Sequence, residues 1–126
     1  LIDTVHQERR SLSMASLEST LRKLSRAYVS MEAKGANLTL IAKRRSAVRI
    51  GVESLDSEWH GGVFPYPHET IVIAKEVLRD CLPSIEAQLA KARKGSAQHT
   101  LNERRLDALN LAIASLEERL SLEGEP

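Results

Sequence analysis

The chain has 126 residues, 42% of them hydrophobic and 28% charged, with a formal net charge of +1. That is the size of one ordinary domain, and the near-neutral total argues against a dedicated nucleic-acid binder. A single cysteine, Cys81, excludes an internal disulfide framework, and no apolar run reaches the length that spans a membrane.

Aromatic residues make up only 3% of the chain, so a core has to be built from Leu, Ile, Val and Ala. That is the usual filling of a helical bundle. The charge is unevenly spread. Residues 1–55 hold ten Lys/Arg against five Asp/Glu, and residues 56–126 hold eight against twelve. The two parts can neutralise each other within one fold or across a dimer, or the basic part can face an acidic partner.

The first helix is read from Met14, Leu17, Leu21, Leu24, Tyr28 and Met31, whose three- and four-residue steps keep them on one face. Gly35 follows as its stop. Ile2, Val5, His6, Arg9 and Leu12 extend the stripe upstream more weakly. The Met14-Ala15 pair reads as a start, which makes residues 1–13 a candidate frayed or non-native extension of a single domain over 1–126.

Residues 37–55 admit two readings. As a helix, Leu38, Ile41, Val48, Val52 and Leu55 share a face, with Arg45 intruding and Asn37 as N-cap. As strands, 38–40 and 48–52 alternate around a turn at 43–46. Gly51 costs a helix about 1 kcal/mol against Ala, but an isolated two-stranded hairpin is marginal. Helix is the favoured reading.

Residues 56–67 are expected to be a loop, because Gly61-Gly62 and Pro65-Tyr66-Pro67 exclude regular helix. A third helix runs from about Pro67 towards Lys94, with Ile71, Ala74, Leu78, Leu82, Ile85, Leu89 and Ala92 as its stripe and Gly95 as its stop. Pro83 predicts a kink or break near Leu82. The fourth helix is expected to open with a capping box at Thr100-Leu101-Asn102-Glu103. Leu106, Leu109, Ile113, Leu116 and Leu120 follow, and Gly124 ends it. The short connection 95–99 makes the last two helices an antiparallel hairpin.

The fold expected is therefore all-α, a four-helix-type bundle with a C-terminal helical hairpin. The alternative is α+β, with a small hairpin in 38–52.

Chemistry is sparse. Asp56, Glu58, His60, His68 and Glu69 cluster around the loop, but His60 and His68 lie eight apart across Gly and Pro, unlike a metal-ligand spacing. Ser54, Asp56 and His60 make a weak triad. No nucleophile elbow, phosphate loop or zinc-hydrolase helix is present. No catalytic residue, metal or cofactor is assigned, and an enzyme is not expected.

Two surfaces remain. Trp59, Phe64 and Tyr66 either plug one end of the bundle or form a partner-binding surface, since aromatics beside proline lose little entropy on binding. Lys43, Arg44, Arg45 and Arg49 are the candidate nucleic-acid contacts. Leu101, Leu111 and Leu122 lie off the main stripe of the last helix and widen its apolar face. The leading expectation is a non-catalytic helical protein–protein interaction or adaptor module of the cytoplasm, working as a homodimer. The alternative is a nucleic-acid-binding regulator using 43–49.

Overall fold

The computed structural model describes residues 2–123, with side chains from residue 6 to residue 122. Among these residues it is an all-α bundle of four helices: α1 Ile2–Ala33, α2 Thr39–His60, α3 His68–Lys91 and α4 Ala97–Glu123. The side chains of Ile2 and Val5, and the expected stop at Gly124, lie outside the described residues. No described helix is long and apolar enough to cross a membrane.

Each helix packs on its neighbours in the chain, and α1 also reaches α4. Across the bundle α2 approaches α4 closely, whereas the backbones of α1 and α3 stay farther apart among the described residues. The sequence explains which diagonal is short. Ala47, Gly51 and Ser54 on α2 and Ala108, Ala112 and Ser115 on α4 are all buried. Each trio steps by four and then three, so each forms one small-residue strip along its helix. A Cβ on Gly51 would lie 3.1 Å from the Ala112 Cβ and 3.4 Å from the Leu78 Cδ1. A side chain at position 51 would push the two helices apart by a few tenths of an ångström. The pairs Gly51–Ala112 and Ser54–Ser115 keep one offset, so α2 and α4 run in the same direction.

The core forms around this seam. Leu17, Leu55, Ile71, Leu78 and Leu116 are the large side chains withdrawn from solvent, drawn from all four helices. Burying each stabilises the fold by about 1.5–3 kcal/mol.

Helix α1 ends as its glycine predicts. Gly35 has φ 70°, its N–H bonds the Glu32 carbonyl at 3.1 Å, and the Ala36 N–H bonds the Met31 carbonyl at 3.0 Å. These two bonds satisfy carbonyls that the last turn would leave open. At its other end α1 is helical from Ile2, Ser13 is buried, and Arg9 pairs with Asp107 of α4.

Helix α2 occupies the whole of 39–60, so the hairpin alternative in 38–52 falls away. Asn37 does cap it, its Oδ1 accepting the Thr39 N–H at 2.9 Å. The buried face differs from the expected stripe. Ala47, Val48, Ile50, Gly51, Ser54 and Leu55 are inside, while Leu38, Ile41 and Val52 are half-buried. A stripe drawn through large residues overlooks Ala47, Gly51 and Ser54, which set the close contact.

Other boundaries also move. Helix α2 continues to His60, so Trp59 and His60 belong to its last turn and the loop shrinks to 61–67. Helix α3 passes through Pro83 without a break. Pro83 and Arg79 are both exposed, so water can reach the carbonyl that loses its partner, while Leu82 and Ile85 pack on the core on either side. The helix stops at Lys91, with Ala92 extended, and Gly95 instead lies in a turn closed by Ser96 N–H to the Arg93 carbonyl. Helix α4 then starts a turn earlier than expected. Ser96 Oγ accepts the His99 N–H at 3.1 Å, so Ser96 is the cap and the Thr100–Glu103 box does not form. Glu103 pairs with His99 at 2.9 Å instead.

Candidate functional site

At the end of the bundle where α2 passes into α3, the aromatic side chains are tied into the helices. Arg119 of α4 holds the centre. Its Nε donates to the Ser54 hydroxyl at 2.7 Å and its Nη2 to the Ser54 carbonyl at 2.9 Å. Ser54 is fully buried and its hydroxyl lies 2.6 Å from that of Ser115. The Arg119 guanidinium also lies 4.1 Å from the Phe64 ring centroid, within cation–π range. Phe64 meets Tyr66 at 5.0 Å in a tilted pair. The Tyr66 hydroxyl donates to Glu53, and this bond is the main reason its pKa is raised. Trp59 has the Arg10 guanidinium 5.3 Å from its ring. Trp59, Phe64 and Tyr66 are half-buried and pack on the core, whereas Val63 between them stands 88% exposed.

The histidines and acids of this region do not converge. Asp56 and His60 form an exposed pair at 3.0 Å one helical turn apart. Ser54 points the other way, into the core, so the three make no triad. Among the described residues no group of three His, Cys, Asp or Glu side chains is placed to hold a metal ion.

The basic segment is spread around α2. Arg45 turns to α1, donating to the Ser25 hydroxyl at 3.1 Å with its guanidinium 5.3 Å from the Tyr28 ring. Lys43 lies on the groove between α2 and α3. Arg44 lines a cavity among all four helices. Arg49 is exposed. A helix turns by about 100° per residue, so adjacent cations point apart.

Two concave features were not visible as motifs. The first is a groove of about 300 Å³ between α2 and α3. Ala42, Ala47, Ile50, Ile73, Ala74 and Val77 line it, with Ser46 and Thr70, and Lys43 is its one charged lining residue. Ile73 is 56% exposed beside it. The second is a cavity of about 200 Å³ with Leu17, Val48, Cys81, Ile85 and Leu109 in its walls and Arg44, Asp80 and Arg105 among its polar lining. Burial pushes the Cys81 thiol above its usual range, and Arg44 nearby only partly offsets this. The Cys81 thiol donates to the Val77 carbonyl.

No protein-family model matches the chain, and neither a curated protein nor a solved structure gives a significant match.

Proposed function

We propose that the chain is a non-catalytic helical interaction module whose first partner is a second copy of itself, docked through the α2–α3 groove. The observation that carries this is an apolar groove with a large exposed side chain in its wall. Ile73 is 56% exposed, and Ala42, Ala47, Ile50, Ala74 and Val77 line the groove with it. An apolar patch of this kind can meet its own copy across a two-fold axis, the commonest symmetry of homo-oligomers. The lining has little charge to desolvate, which favours an apolar partner over an ionic one.

The aromatic residues are less suited to this role. Phe64 and Tyr66 already engage Arg119 and Glu53, and Trp59 lies under Arg10. These contacts support a role in closing the bundle.

Two charge insertions separate the surfaces. Ile73→Glu places a charge in the groove, and Val63→Glu places one on the loop. The groove reading expects association to be lost with Ile73→Glu and kept with Val63→Glu, both at unchanged thermal stability. The opposite pattern moves the interface to the loop.

A further inference from the structure

The cavity among the four helices has an unusual pair of residues in its wall. Arg44, Val48, Gly51 and Leu55 follow one another at four, three and four residues along α2. Arg105, Leu109, Ala112 and Leu116 do the same along α4. The last three of each set are buried core. Each arginine continues that spacing two turns before the Gly51–Ala112 contact, where Arg105 is half-buried and Arg44 is exposed. Apolar residues normally fill such positions. Both arginines line the same cavity.

Neither guanidinium has a hydrogen-bond or ion-pair partner among the described residues. The contrast with the half-buried Arg119 is direct. Arg119 makes two hydrogen bonds and covers an aromatic ring. Arg44 and Arg105 offer their donors to the cavity instead, and a guanidinium matches a carboxylate in a two-bond fork. The apolar walls are Leu17, Leu24, Val48, Ile85 and Leu109, with the Cys81 thiol and three hydroxyl side chains (Ser16, Thr20 and Ser84) among them. Asp80 is the one acid lining the cavity, leaving a positive balance. The site thus joins a basic pole to an apolar chamber of small-molecule size.

We propose that this cavity binds an amphipathic carboxylate, the free acid of a short fatty chain, with its head on Arg44 and Arg105 and its tail against Leu17, Val48 and Leu109. The site is independent of the α2–α3 groove, and its ligand needs no second copy of the chain.

Octanoate is the probe, used below its micelle concentration and followed by titration calorimetry. The expected result is saturable binding with one site per chain. Octanol lacks the charge and inorganic phosphate lacks the tail, so each binds about tenfold more weakly or worse. Replacing both arginines (Arg44→Gln with Arg105→Gln) weakens octanoate about tenfold or more, and Asp80→Asn strengthens it. Octanoate also slows alkylation of Cys81 in the unaltered protein, a readout that stands if the double variant fails to fold. Octanol binding as tightly as octanoate, a folded double variant binding with unchanged affinity, or absence of both heat and Cys81 protection would each overturn the proposal.

Discussion

Arg119 ties Ser54 to Phe64: one guanidinium donates two hydrogen bonds to a buried serine of α2 and covers a ring of the following loop. This single side chain from α4 fixes how the chain turns from α2 into α3. Hydrogen bonds from a charged group contribute about 1.5–3 kcal/mol each, and a cation over a ring adds about 0.5–2 kcal/mol. Arg119→Leu is therefore expected to lower stability by about 2–4 kcal/mol, read by chemical denaturation. In a double-mutant cycle with Phe64→Leu, the two losses should fall short of additive, because each removes part of the same contact.

The seam between α2 and α4 makes a second demand. A valine at position 51 would press on Ala112, whose Cβ has no rotamer with which to move away. Gly51→Val should cost about 1–3 kcal/mol through overpacking, despite removing a helix glycine. Adding Ala112→Gly to that variant should restore part of the loss. An equal loss with and without Ala112→Gly would show that the contact is not the cause.

The start of α4 gives a cleaner comparison. Ser96→Ala removes the acceptor for the His99 N–H and should cost about 1 kcal/mol. Thr100→Ala should change stability by only a few tenths of that, since Thr100 is exposed within the first turns of the helix. Thermal melts of the two variants rank them directly.

The Arg9–Asp107 pair, at 3.0 and 2.6 Å, sets a pH dependence. Its hydrogen bonds and charge hold the Asp107 carboxyl below its usual 3.8. A lowered folded pKa gives stability that is present at neutral pH. It fades as the pH drops below 3.8 and is gone below the folded value. Both side chains are well exposed, so solvent screening limits the pair to about 1 kcal/mol or less. Asp107→Asn should flatten stability over that acid range, and high salt should shrink the difference between the two proteins.

Much of the bundle was legible because leucine periodicity carries it. Leu17, Leu78, Leu109 and Leu116 fall where their spacing puts them. The misreading of the buried face of α2 has a physical cause. Small residues carry little hydrophobic signal, so Ala47, Gly51 and Ser54 did not register as the buried face of α2. The stripe expected from large residues is shifted for that reason. Arg45 does intrude there, half-buried against Ser25 and Tyr28, while Arg44 is exposed on the wall of the four-helix cavity. Likewise Thr100–Glu103 has the composition of a capping box, but Ser96 offers a cap four residues earlier and Ala97-Gln98 continue readily as helix. Cavity and groove needed the packed structure, because each draws residues from helices far apart in sequence.

Self-association through the α2–α3 groove is the central functional claim, and sedimentation equilibrium tests it most directly. The chain has a mass of 14.0 kDa. The weight-average mass should rise with concentration towards twice that value, and should stay at the single-chain value for Ile73→Glu. A single-chain mass for the unaltered protein at every concentration would contradict it.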